Sequence, residues 1–258
     1  TAVRRVLFAK FAMGLFEDPY GKTFKNRKRH SPESVKLAKT IADESTVLLK
    51  NENQLLPLDT KSLKSIAIIG PNADQVQFGD YTWSRNNKDG VTPLQGIKNR
   101  VNKNTAIHYA KGCSLTSLDT SGIAEAVEAA KNSEVAVIFG GSASAALARD
   151  YKSSTCGEGF DLNDLNLTGA QSQLIREVYR TGTPVILVLV TGKPFVIEWE
   201  KNNLPAILVQ WYAGEQAGNS IADILFGKVV PSGRLTFSFP RSTGHLPVYY
   251  NYLPSDRG

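Results

Sequence analysis

The chain has 258 residues, 41% of them hydrophobic and 21% charged, which is enough apolar material for a real core and excludes a disordered tail, a collagen-like fibre and a small disulfide scaffold. The longest apolar runs, such as Pro184 to Val190, are about seven residues, against the roughly 18 that a membrane-spanning helix needs. The net charge of +6 sits in residues 1–50, which hold 11 Lys/Arg against 5 Asp/Glu, while the other 208 residues balance at 19 and 19, so the charge belongs to the entry segment and does not mark a nucleic-acid-binding domain.

The first element predicted is an amphipathic helix with Val3, Val6, Leu7 and Phe11 on one face, its apolar run interrupted by Arg4, Arg5 and Lys10 as a signal peptide's would not be. Lys22 to His30 is dense in positive charge and reads as a solvated linker. Ser31-Pro32 then caps a helix carrying Val35, Ala38, Ile41 and Ala42 at helical spacing. From there short β-rich runs, 65–70, 105–110, 134–140, 184–190 and 206–210, alternate with helical patterns at 93–101, 121–131, 168–180 and 215–226. Strands apolar on both faces and separated by helices predict an α/β fold, a three-layer sandwich with a mostly parallel sheet.

Ligands in such sheets bind at the carboxyl ends of the strands, which directs attention to 71–80, 141–166, 191–194 and 211–215. The second of these is far longer than an ordinary connection, a mark of function or of a missed element. No phosphate-binding glycine motif joins a strand to a helix. Ser142, Asp223 and His245 occur in the order of an α/β-hydrolase triad, but Ser144 stands where the nucleophile elbow requires glycine. Cys113 and Cys156 are 43 residues apart, and His30, His108 and His245 are scattered, so no metal-ligand spacing is present and neither metal nor cofactor is called for. Both thiols read as buried or loop cysteines. What remains is Gly157-Glu158-Gly159 in the long loop, a carboxylate between two residues free to adopt unusual backbone angles. Asp161 follows three residues on. Two acids so close on one loop are a poor pair for opposite sides of a glycosidic bond, so a catalytic Glu158 would need a partner from elsewhere; the plain alternative is an exposed loop Glu.

An ordered set of motifs runs through nearly the whole chain: Ile66-Ala-Ile-Ile-Gly-Pro-Asn-Ala-Asp74, Gly79-Asp-Tyr-Thr82, Thr92-Pro-Leu-Gln-Gly-Ile97, Tyr109-Ala-Lys-Gly-Cys-Ser114, Gly157-Glu-Gly-Phe-Asp161, Trp211-Tyr-Ala-Gly-Glu-Gln-Ala-Gly218, Ala222-Asp-Ile-Leu-Phe-Gly227, Pro231-Ser-Gly-Arg-Leu235 and Leu246-Pro-Val-Tyr-Tyr-Asn251. This set resembles the C-terminal α/β-sandwich domain of glycoside hydrolase family 3, which contains β-glucosidases and β-xylosidases. The resemblance implies that residues 1–30 are the last helix of a preceding (β/α)8 barrel and its linker, 31–251 the sandwich, and 252–258 a leader toward a following domain. It also implies that the aspartate nucleophile lies in that barrel, outside this chain, and that the chain by itself does not turn over substrate.

By the same resemblance Glu158 matches the general acid/base of a retaining β-glycosidase. Trp83 is read as an outer-subsite platform or a packing residue, and Asp80 as a ligand to a sugar hydroxyl or a turn cap; Asp161 is a further substrate-contact position. Trp211 and Glu215 have adequate structural readings. Leu162 replaces the family's usual Arg, and Leu167-Thr168-Gly169 its usual Leu-Pro-Gly. The implied partners are a β-linked oligosaccharide or glycoside and the barrel, with no nucleic acid or membrane; the implied location is periplasmic or secreted. A different class of function, a non-catalytic carbohydrate-binding or interaction domain, stands as the alternative.

Overall fold

Six strands form one sheet in the computed structural model, which describes residues 1–20, 30–84, 86–144, 155–159 and 162–250. They are β1 (Val47–Asn51), β2 (Ser65–Ile69), β3 (Ala106–Ala110), β4 (Val135–Gly141), β5 (Val185–Val190) and β6 (Ala206–Val209), in the spatial order β1-β6-β5-β4-β2-β3. All neighbours pair in parallel except β1, which runs antiparallel to β6 at one edge with a bulge between Leu48 and Lys50. The five predicted strands are present. The sixth, β1, follows directly from a helix and was only a short apolar run in the sequence.

The sheet has two buried faces because its central strands alternate between two cores. Ala67, Ile69, Ala136, Ile138, Val185, Leu187 and Leu189 belong to one apolar cluster. Ile66, Ile68, Val135, Val137, Phe139, Ile186, Val188 and Val190 belong to the other. The period of two along each strand thus feeds both faces with Val, Ile and Leu, as parallel strands require.

Helices α4 (Ile123–Lys131) and α5 (Gln171–Tyr179) cover the first face through Ala126, Ala130, Leu174, Ile175 and Val178. Helices α3 (Pro93–Arg100) and α7 (Ala217–Leu225) cover the second through Leu94, Ile97, Ile221 and Leu225. The start of α3 is set by Thr92, whose hydroxyl accepts from the Gln95 amide at 3.2 Å, with Pro93 at the first helical position. A short helix, α6 (Glu198–Asn203), follows β5 and was not anticipated.

Residues Thr1–Lys36 and Leu37–Gly258 form two compact units. The first holds α1 (Ala2–Ala12), none of whose residues is buried. Helix α2 (Pro32–Ser45) begins in the first unit and ends in the second. Its start is the expected cap, with the Ser34 amide donating to Ser31 Oγ at 3.2 Å. Residues 21–29 of the expected linker, the candidate site residue Asp161 and the expected leader 252–258 lie outside the described residues.

Candidate functional site

The carboxyl ends of β2, β4, β5 and β6 meet at one rim of the sheet, and a single side chain ties them together. Tyr212, two residues past Gln210 at the end of β6, lays its ring against two glycines. A β-carbon at Gly79, in the loop after β2, would lie 3.3 Å from Tyr212 Cβ, and one at Gly192, after β5, would lie 2.8 Å from its Cε2. The second distance leaves no room for a side chain, so glycine at 192 is a packing requirement of the tyrosine.

The Tyr212 hydroxyl lies 2.7 Å from Ser142 Oγ, just past β4, and 2.8 Å from Cys156 Sγ, in the loop that carries Glu158. Ser142 Oγ donates to Thr191 Oγ1 at 3.0 Å, and Thr191 donates to the Lys193 carbonyl at 2.8 Å. Each hydroxyl has one proton, and a carbonyl only accepts. The chain of donors therefore has one direction, from Cys156 to Tyr212 to Ser142 to Thr191 to the Lys193 carbonyl. Burial above all, with the neighbouring Cys156 thiol, pushes the ionisation of Tyr212 far above the ordinary phenol value, which keeps it the donor this chain requires.

Glu158 sits two residues beyond Cys156. It is exposed, and it is flanked by Gly157 at φ 122° and Gly159 at φ 73°, both in the region that side-chain-bearing residues avoid. The stretch before it is fastened to the end of β4. Ser144 and Cys156 form a parallel bridge, the Thr155 amide donates to the Ala143 carbonyl at 3.1 Å, and the Ala143 amide donates to Thr155 Oγ1 at 3.1 Å. On the other side of β4, Gln171 at the head of α5 accepts from the Gly141 amide at 2.8 Å and donates to the Gly141 carbonyl at 3.0 Å.

The other expected residues divide. Trp83 lies in the loop after β2 with its side chain 69% exposed. Asp80, in the same loop, has a buried Oδ1 with no hydrogen-bond partner among the described residues. Loop geometry brings Asp80 to the rim, next to the Gly79 contact with Tyr212. Trp211 fits its structural reading: its indole NH donates to the Ser45 carbonyl at 2.9 Å and its ring meets Phe237 edge to face.

The hydrolase-like triad is absent. Ser142 is spent in the hydroxyl chain, and Asp223 on α7 is paired with Lys39, Arg100 and Lys228. His245 instead accepts from the Arg241 amide at 3.4 Å. Cys113 and Cys156 are free and buried, and burial raises the Cys113 thiol to about 11.

Sequence reasoning did not single out Tyr212, Lys193 or Gln171. Lys193 is only 7% exposed, and its Nζ has no hydrogen-bond partner among the described residues but stands 4.8 Å from the centre of the Phe195 ring. Burial pushes its ammonium below the ordinary value, with Cys156 and Asp164 acting the other way. The only hint of Tyr212 in the sequence was its place beside Trp211 in a glycine-rich strand-end motif.

The chain resembles known proteins over nearly its whole length. The description "Glycosyl hydrolase family 3 C-terminal domain" matches residues 46–258. The chain is 40% identical over 260 residues to a β-xylosidase of Formosa agariphila, covering 98% of this chain and 35% of that protein. It is 38% identical over 288 residues to a periplasmic β-glucosidase of Salmonella typhimurium, covering 99% and 36%. Among solved structures, the β-glucosidase of Listeria innocua in complex with isofagomine superposes with a TM-score of 0.82 at 33% identity, over 98% of this chain and 34% of that one. The chain thus spans about a third of the length of these relatives. On the match across residues 46–258 and the shared sandwich, the chain belongs to glycosyl hydrolase family 3 and contains that family's C-terminal domain.

Proposed function

We propose that this chain is the acid/base half of a retaining β-glycosidase acting on β-linked glucosides or xylosides. The observation that carries the reading is the placement of Glu158. It is an exposed carboxylate on a turn of two positive-φ glycines, at the strand-end rim where open α/β sheets bind ligands. Glu158 protonates the departing glycosidic oxygen and then activates water. Trp83 and Asp80, from the loop after β2, contact the leaving-group sugar, and Asp161 adds a further contact.

The nucleophile comes from a barrel domain joined to residues 1–30, with its carboxylate about 5 to 5.5 Å from that of Glu158 as retention demands. Residues 31–251 are the sandwich and 252–258 lead toward a following domain. Coverage of about a third of each relative supports this division of labour. A relative is named a periplasmic β-glucosidase, which supports a periplasmic or secreted location.

The test is Glu158→Gln in the longer enzyme, with this chain joined to its barrel. We expect kcat/KM on an alkyl β-glycoside to fall by roughly 100-fold or more, and kcat/KM on the matching dinitrophenyl glycoside, whose leaving group needs no proton, to hold. Full activity on the alkyl glycoside would overturn the assignment. The reading as a binding module rests on the exposed Trp83, and calorimetry with gluco- and xylo-oligosaccharides separates the two readings.

A further inference from the structure

The bond between Tyr212 and Cys156 joins two segments 56 residues apart in sequence, and it is made two residues from Glu158. We propose that Tyr212 and Cys156 form a latch that positions the Glu158 loop on the rim of the sheet, which makes Tyr212 a positioning residue for proton transfer to the leaving group. This rests on Glu158 being the acid/base.

Three observations converge on it. The first is rigidity at the anchor: Tyr212 is held between the Gly79 and Gly192 notches, so its hydroxyl has little freedom to leave the rim. The second is direction. Because the hydroxyl chain ends on the Lys193 carbonyl, the single Tyr212 proton is committed to Ser142, and the phenol oxygen faces Cys156 as an acceptor. The thiol proton then has two acceptors in reach, the Tyr212 oxygen at 2.8 Å and the Ala143 carbonyl at 3.7 Å, and the nearer one lies on the rim. The third is leverage: beside the Thr155 bonds to Ala143, the Cys156 backbone bridges to Ser144 and its sulfur reaches the Ala143 carbonyl at 3.7 Å, so Cys156 is the residue through which the loop is tied both to the end of β4 and, by Tyr212, to the segment after β6. Past it Gly157 and Gly159 flank Glu158 at φ 122° and 73°, and any slack at Cys156 is passed on to the Glu158 carboxyl.

A thiol donor is weak, but the cost of losing it is not only the bond. With Tyr212→Phe the buried Ser142 Oγ loses its donor and Cys156 its nearer acceptor, and the ring packing stays. The effect expected is misplacement of a general acid. A displacement of about 1 Å in a reacting group costs up to about 100-fold in rate.

The experiment uses the longer enzyme and four variants: Tyr212→Phe, Cys156→Ala, Cys156→Ser, and Glu158→Gln as reference. Each is assayed on an alkyl and a dinitrophenyl β-glycoside of the sugar that the wild type cleaves, and its thermal unfolding is recorded. Tyr212→Phe and Cys156→Ala are expected to lower kcat/KM on the alkyl glycoside by about 10- to 100-fold, with kcat/KM on the dinitrophenyl glycoside unchanged within about threefold. Cys156→Ser, which keeps a donor at this position, is expected to recover most of what Ala loses. A merely structural role would lower both substrates together or leave both alone, and either result overturns the latch. Should Tyr212→Phe fail to fold, the Ala and Ser variants at 156 decide the matter alone. If Glu158→Gln shows the leaving-group signature and the latch variants do not, the latch fails while the acid/base reading stands. If Glu158→Gln keeps full activity, both fall.

Discussion

Gly96 on α3 and Gly218 on α7 face each other so closely that a methyl group on Gly96 would overlap the Gly218 carbonyl, and one on Gly218 would overlap the carbonyl of Thr92. The approach lets backbone bond to backbone: the Gly218 amide donates to the Val91 carbonyl at 2.9 Å, and the Val91 amide to the Glu215 carbonyl at 2.8 Å. These bonds lock the start of one covering helix to the start of the other, directly behind the rim.

Because the obstacle is backbone on both sides, neither helix can yield by turning a side chain. Gly96→Ala is therefore expected to destabilise the sandwich by about 2 kcal/mol or more, although alanine is the better helix former. Chemical denaturation of the chain with an unchanged m-value and a lower midpoint would check it; a midpoint at or above wild type would contradict the close crossing.

The buried ammonium of Lys193 gives a dependence on pH whose sign follows from burial. Its folded pKa lies below the unfolded value near 10.5, because burial disfavours the charged form, and below that folded pKa the folded state bears the desolvation cost of the charge. As pH rises through the folded pKa the folded protein releases this proton while the unfolded chain still holds it, and this group's contribution to stability rises with pH. Lys193→Met, which keeps the length and removes the charge, should be more stable than wild type at pH 7 by about 1 kcal/mol or more. That advantage should shrink as the pH approaches the unfolded pKa. Paired unfolding curves at neutral and alkaline pH are the measurement, and an advantage that does not change with pH would show that the charge is not the cause.

Trp83 is the residue on which the two functional readings differ. As an outer-subsite platform completed by a barrel, it contributes about 1 kcal/mol of stacking, so Trp83→Ala in the longer enzyme should raise KM for a disaccharide about fivefold with little change in kcat. Titration of gluco- and xylo-oligosaccharides into the chain by itself should give millimolar binding or none. Micromolar affinity lost with Trp83→Ala would favour the carbohydrate-binding module.

Much of this protein was legible along the chain because its determinants are local. The double-faced apolar strands betray a buried parallel sheet, since a strand covered on both sides cannot alternate with polar residues. Gly157 and Gly159 mark an unusual turn around Glu158, and the structure places both at positive φ. The ordered motifs carried the family resemblance, and the match across residues 46–258 bears it out.

Other features depend on residues far apart in sequence meeting in space. Val47–Asn51 becomes a strand only because β6 offers it an antiparallel edge. Asp223, which sequence order alone offered to a catalytic triad, is claimed by Lys39, Arg100 and Lys228 from other segments. Cys156 reads in the sequence as a buried or loop cysteine, and only the fold sets the Tyr212 hydroxyl 2.8 Å from its sulfur. By itself, then, the sequence determined the layers, the rim and the carboxylate on it, because periodicity and glycine act within a few residues. That Tyr212 meets Cys156 two residues from that carboxylate was decided only by the tertiary structure, because hydrogen-bond partners 56 residues apart leave no periodic trace in the sequence.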